Sequence, residues 1–362
     1  MGSKVYFFDF GKMGDVLEGI GKLLDMASEG KINGCMKVAV KAHFGELGNY
    51  THIRPAFIRR TVDYIKTAGG EPFATDTTTL YPEGGRLTVE NSLKTAMYNG
   101  FSEVGLGCPL VIADEPDGYN AIIVSMKEFG AKRLKTVSVA KHIAEADAMV
   151  VVSHIKGHGM SGMGGALKNL GMGCTTKDSK SAQHALHGCE FLHDLCRGCG
   201  DCIEACHFGA LRMQDGRPDK NEKCVYCLTC MWACENEAIG LLEGGKERFQ
   251  EGLAEAAAGV MRAMSGKPVV FLNFIFDVTP QCDCAAPAGK LVVQNVGILA
   301  SKDPVAIDRA SIDLIDKSQI IPGWGVAPPD ILGKINSTRS LGQLEAAERL
   351  GMGSMKYKLI TI

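Results

Sequence analysis

Residues 148–174 read AMVVVSHIKGHGMSGMGGALKNLGMGC, and this stretch decides the fold class. A β-branched run, a glycine-rich turn and a helical pattern follow one another without a break, as when a strand feeds a helix in a parallel α/β sheet. Working outward, runs of the same kind occur at 37–44 (KVAVKAHF), 71–76 (EPFATD), 268–277 (PVVFLNFIFD) and 291–301 (LVVQNVGILAS), with helical patterns between them. Two helices carry start signals. RPAFIRRTVDYIKTA has Pro55 in its first turn, and in DPVAIDRASIDLIDKS Asp303 stands where it caps orphan amides, with Pro304 at the first helical position. The expectation is a mostly parallel, Rossmann-like three-layer α/β domain.

The periodicity stops at about residue 188 and resumes near 244 with EGGKERFQEGLAEAAAGVMRAMSG. Strand-like runs lie on both sides of the gap, so the α/β domain is expected to be discontinuous: residues 1–187 and 246–362, with 188–245 inserted as a small α+β unit.

Eight of the 14 cysteines crowd into residues 196–234 of this insertion. Aligned on itself with an offset of 28, the block maps Cys196, Cys199, Cys202 and Cys206 onto Cys224, Cys227, Cys230 and Cys234. Apolar positions repeat too, with Ile203 matching Met231, Ala210 matching Ala238 and Leu211 matching Ile239. Both halves read C-x2-C-x2-C-x3-C, in which three thiolates on one tight loop reach three irons of a cubane and the fourth ligand comes from the other half. By that rule Cys196, Cys199, Cys202 and Cys234 hold one 4Fe-4S cluster, and Cys224, Cys227, Cys230 and Cys206 hold a second. Zinc knuckles would leave the cysteine triple unexplained. The segment resembles the bacterial two-cluster ferredoxin domain over residues 190–243, with His207 and Glu235 where that family usually has a proline after the fourth cysteine.

Composition narrows the partners. The 39 Lys and Arg are dispersed against 41 Asp and Glu, giving a formal charge of −2 with no basic block, which argues against nucleic acid or an anionic membrane. The longest apolar run, PVVFLNFIF at 268–276, is under half a membrane span, and MGSKVYFFDF lacks the apolar core of a signal peptide. A cytoplasmic protein is expected, with a soluble electron donor or acceptor protein as its partner.

Open parallel sheets bind ligands beyond the carboxyl ends of their strands. The polar residues there are His43 and Glu46; Asp76 and Thr77; His154, Lys156 and His158; Asp277 with Cys282 and Cys284; and Ser301 with Asp303. Gly157, Gly159 and Gly162 satisfy G-x-G-x-x-G, but no strand-borne acidic residue follows at the spacing a dinucleotide site requires. What remains is a loop able to approach an anion, with Lys156, His158 and Lys168 as cationic or donor groups and a short helix behind it. The alternative is that the glycines serve a tight turn or close packing. Cys282 and Cys284 form a C-x-C pair whose thiols, if extended, point the same way and suit an additional metal or a redox pair; otherwise they are ordinary buried thiols. Cys35, Cys108, Cys174 and Cys189 have no partner at ligand spacing, and His52, His142, His184, His187 and His193 read as ordinary polar residues.

Read in order, KAHFGE, SHIKGHGMSGMGGALKNLGMGC, CDC and DPVAID resemble the domain-of-unknown-function family 362, iron-sulfur centre proteins in which a ferredoxin segment interrupts an α/β domain. The resemblance spans nearly the whole chain and implies architecture without a settled reaction. A fainter similarity, at HIRPAF, is to the amino-terminal domain of nickel-dependent lactate racemase. The leading expectation is an oxidoreductase whose clusters relay electrons to an anionic small molecule or a third redox centre, with His43 or His158 as proton donor. The alternative is an electron-transfer or cofactor-maturation protein without turnover of its own.

Overall fold

The computed structural model describes residues 2–12 and 14–362. Its strand sequences explain its layers. Ala148–His154 and Val269–Ile275 are apolar almost throughout and buried along their whole length, as strands covered on both faces must be. Alternate residues go to opposite sides. Met149 and Val151 join a core with Leu167, Ala257 and Ile307, whereas Val150 and Val152 join one with Ile20, Leu24, Ile58 and Val62. The helices Val16–Ser28 and Pro55–Thr67 therefore cover one face, and Ala166–Gly171, Gly245–Ala263 and Pro304–Lys317 the other. This is the three-layer α/β architecture expected.

Eight strands form the central sheet in the order Tyr357–Thr361, Ser3–Asp9, Gly297–Ser301, Val269–Ile275, Ala148–His154, Lys37–Lys41, Glu71–Asp76 and Leu110–Ile112. Seven run parallel. Gly297–Ser301 alone is antiparallel to both its neighbours. Two expectations change in consequence. The run at 291–301 is a strand only from Gly297 onward. Because that strand is reversed, Ser301 and Asp303 leave the sheet at the end opposite the other candidate residues. Asp303 instead caps its helix, accepting from the amides of Val305 and Ala306 at 2.9 Å, and its second oxygen accepts from Ser3 Oγ at 2.6 Å and the Ser354 amide at 2.9 Å.

Lys37–Lys41 leads outward to Glu71–Asp76 and Leu110–Ile112, and the chain then returns to Ala148–His154 on the other side of Lys37–Lys41. The winding direction reverses between Lys37–Lys41 and Ala148–His154, and the crevice at such a reversal is where open sheets bind ligands. Between the helices Lys177–His187 and Gly245–Ala263 the chain makes only short elements. The pairs Glu190–Phe191 with Ile239–Gly240 and Leu211–Gln214 with Arg217–Lys220 enclose a small core of Cys189, Cys202, Leu211 and Ile239.

Candidate functional site: two thiol cavities beside a larger one

The repeat at offset 28 is carried by the backbone. The one-turn helices Asp201–Glu204 and Thr229–Trp232 stand exactly one repeat apart. Gly198 and Gly200 take left-handed φ of 69° and 94°, and their counterparts Tyr226 and Leu228 take 55° and 68°. A side chain in that region costs about 1–2 kcal/mol, so the second half holds by its surroundings a shape that glycine allows the first. The eight cysteines divide four and four around two small cavities. Cys196, Cys199, Cys202 and Cys234 line one; Cys206, Cys224, Cys227 and Cys230 line the other. In each, an amide four residues beyond the last cysteine of a half donates to its sulfur: Ala210 to Cys206 and Ala238 to Cys234, both at 3.3 Å. Cys189, which has no partner at ligand spacing in the sequence, is a fifth thiol on the second cavity, and the adjacent Cys224 thiol holds it below its ordinary value.

A cavity of about 680 Å³ opens at the sheet reversal. It gathers His43, His154, Lys156, His158, Gly159, Lys168, Cys282 and Cys284, together with Cys227 and Trp232 from the cysteine-rich segment. Asp283 organises its floor. Fully buried, its carboxylate accepts from Lys156 Nζ at 3.0 Å and meets His154 Nδ1 at 2.9 Å, while His154 Nε2 lies 2.7 Å from the carbonyl of Phe276. Burial opposes the charge of Asp283, but His154 and Lys156 hold it well below the usual carboxylate range. Both nitrogens of His154 are thus engaged, and it positions Asp283 instead of facing a ligand.

The C-x-C segment is a turn, not an extended strand, with the Ala285 amide bonded to the Cys282 carbonyl at 2.9 Å. The turn still brings the thiols together: His158, Cys282 and Cys284 each place a ligand atom within 4.8 Å of the others, a group that could hold a metal ion. The Cys284 thiol, with Lys168 Nζ 3.6 Å away, holds the Cys282 thiol well below its ordinary value, whereas the contact with Cys282 and burial hold Cys284 well above it. His158 Nδ1 accepts from the amides of Met160 and Ser161 at 3.2 Å, which leaves Nε2 to carry the ring proton; burial keeps the ring neutral. His43 is likewise neutral through burial and the neighbouring Arg86, and its Nδ1 accepts from the Gly45 amide at 2.9 Å.

The glycines separate. A Cβ on Gly157 would lie 2.1 Å from the Pro280 carbonyl, and one on Gly162, at φ 75°, 2.6 Å from Ser340. Those two serve close approach inside the small hairpin of Lys156–His158 with Gly162–Gly164, and only Gly159 borders open space. The helix behind the loop has its first amides occupied: Ala166 and Leu167 donate to the carboxylate of Asp308 at 2.7 and 2.9 Å.

The sequence profile of the family described as "Domain of unknown function (DUF362)" matches residues 38–313, well over half of the chain. The chain belongs to the DUF362 family. No curated protein matches it. Among solved structures, this DUF362 protein is similar to a structural-genomics target protein from Thermotoga maritima, with 12% identity, a TM-score of 0.39, and coverage of 72% of this chain and 49% of that one. It is also similar to the lactate racemase apoprotein from Thermoanaerobacterium thermosaccharolyticum, with 12% identity, a TM-score of 0.37, and coverage of 99% and 83%. The chain thus spans about half the length of the Thermotoga protein, and likeness at this level says nothing about chemistry. Among the described residues no helix is long and apolar enough to cross a membrane.

Four residues of the DUF362 cavity escape a reading by motif: Arg86, Lys180, His184 and His187. A signal existed for the last pair. In HALH the two histidines stand three apart near the end of the helix Lys177–His187, a spacing that puts both on one face. Arg86 carries no such signal, since it reaches the cavity from a loop to pair with Glu46 at 3.1 Å.

Proposed function

We propose that this DUF362 protein is an iron-sulfur oxidoreductase. In this reading residues 188–245 are an inserted two-cluster domain, with Cys196, Cys199, Cys202 and Cys234 holding one 4Fe-4S cluster and Cys224, Cys227, Cys230 and Cys206 the other. The observation that carries it is the position of Cys227, which lines both the second thiol cavity and the 680 Å³ cavity. The four-and-four division of thiols, the paired amide-to-sulfur bonds and the left-handed loops support the fit. Bound there, the clusters would supply one-electron transfer at low potential. The chain's own residues set its route. Cys199 is exposed, so the first thiol cavity faces solvent and a soluble donor or acceptor protein, while the second faces the ligand. In the large cavity Lys156 and Lys168 offset the charge of an anionic ligand, and His158 presents the proton on Nε2.

A second reading, a protein that holds a metal for delivery, is favoured by the group of His158, Cys282 and Cys284. One experiment addresses both: anaerobic purification with iron, acid-labile sulfide and total metal analysis, on wild type and on a Cys282→Ser, Cys284→Ser variant. Roughly eight iron and eight sulfide per chain are expected in both. A colourless wild type carrying zinc overturns the proposal. A metal beyond the eight irons that disappears in the variant supports a third centre, and a variant identical in metals supports direct reduction of a bound substrate.

A further inference from the structure

We propose that the large cavity takes a flat aromatic carboxylate bearing a hydroxyl or amine; this rests on the function proposed above and names the ligand class of the same cavity. One wall is built of rings. Phe249 has His158 stacked against it at 6.4 Å and 10°, His184 edge-on at 6.0 Å and His187 at 6.0 Å, and Tyr81 stands 5.8 Å from His184. All five line the cavity. Burial pushes His184 down to about 3 and lowers His187. Such a wall favours a flat π-system, through offset and edge-on contacts, over an aliphatic body of similar size.

The polar groups of the cavity carry an excess of positive charge. Arg86 and Lys156 are matched by Glu46 at 3.1 Å and Asp283 at 3.0 Å, and the one lining carboxylate, Asp76, by Lys41 at 3.0 Å. Lys180, 7% exposed, donates to the Thr77 hydroxyl at 2.8 Å and to the Thr175 carbonyl, and Lys168 meets Cys282 Sγ at 3.6 Å. Among the described residues neither of these two lysines pairs with a carboxylate; Lys168 has the Cys282 thiol as its counter-group, and Lys180 is in no ion pair. Burial draws Lys180 down to about 8. Asp308 already occupies the helix amides that would cradle a phosphate, so what is free are point charges suited to a single carboxylate. Three buried polar atoms on the wall also lack a hydrogen-bond partner: Asp76 Oδ2, Thr79 Oγ1 and His184 Nδ1. A hydroxyl or amine on the ligand supplies the missing partner to one of them. A volume of about 680 Å³ accommodates a fused bicyclic ring with its substituents.

The test is equilibrium binding to the anaerobic, oxidised full chain, followed by calorimetry with four probes. These are 3-hydroxy-2-naphthoate, 2-naphthoate without the donor, 2-naphthalenemethanol without the charge and cyclohexanecarboxylate without the flat ring. The hydroxynaphthoate is expected to bind at least tenfold more tightly than each of the others, and Lys168→Gln to weaken it at least tenfold. Trp232→Ala, at an 80% exposed position on the rim where folding is not at stake, is expected to weaken it by a smaller factor. A preference below tenfold over any of the other three probes, or no binding of the hydroxynaphthoate to wild type, overturns the proposal. Because no electron is transferred in this measurement, its result is separate from that of the relay. Binding without any cluster content sinks the relay alone, and cluster content without binding sinks the ligand class alone.

Discussion

At the scale of single residues, Asp283 bears the most consequence for its size. It lies between two thiols in the chain, yet its carboxylate turns into the protein and holds His154 and Lys156. Asp283→Asn keeps the shape and removes the charge, leaving Lys156 buried without a counter-ion. The expected cost is about 3–5 kcal/mol, read as a lowered urea midpoint with an unchanged slope. The sequence gives no sign of this role. The C-x-C spacing draws attention to Cys282 and Cys284, whereas the burial of the residue between them depends on a turn packed against Ala148–His154 and on a histidine 129 positions away. His43, His154, Lys156 and His158 were legible because the rule about strand ends needs only the strands, and Lys168 because it follows the glycine-rich loop. Lys180 and Arg86 were not, because they arrive from a helix and a loop that the rule does not cover.

At the scale of elements, the paired loops show how one backbone is specified twice by different means. Gly198 is left-handed and a Cβ there would meet the Gly216 carbonyl at 2.9 Å, whereas a Cβ on Gly200 would meet nothing within 4 Å. Gly198→Ala is therefore expected to cost more than Gly200→Ala, the latter about 1–2 kcal/mol for the conformation alone. Thermal unfolding of the two variants beside wild type checks the order, and equal midpoints would contradict it. Elements with strong local chemistry were readable in advance: the helix Pro304–Lys317 begins at Asp303 and Pro304 as its sequence requires. The strands Ser3–Asp9 and Tyr357–Thr361 were not, because one edge of the sheet pairs the two ends of the chain. Nor does LVVQNVGILAS reveal that its strand is reversed, since direction follows from the connection before it.

At the scale of the whole molecule, buried neutral histidines make the fold sensitive to acid. His184 is held at about 3 and His43 well below its ordinary 6.5, both chiefly by burial. Between those values the unfolded chain takes up protons that the folded chain refuses, so their contribution is complete above pH 6.5 and is lost as pH falls. By pH 5 His184 forfeits about 2 kcal/mol, and His43 acts in the same direction. Asp308 acts oppositely: burial raises it to about 6, so its contribution grows as pH drops from 6 toward 3.8, but one carboxyl does not offset two histidines. Scanning calorimetry at pH 7.5, 6.5 and 5.5 is expected to show a falling midpoint below 6.5, and a flat profile would contradict the burial argument. The crossed lining of the thiol cavities reaches beyond a single molecule. A recombination event falling between Cys206 and Cys224 would hand each descendant gene two incomplete sets of sulfurs, so this segment is heritable between proteins only whole, from Cys196 through Cys234.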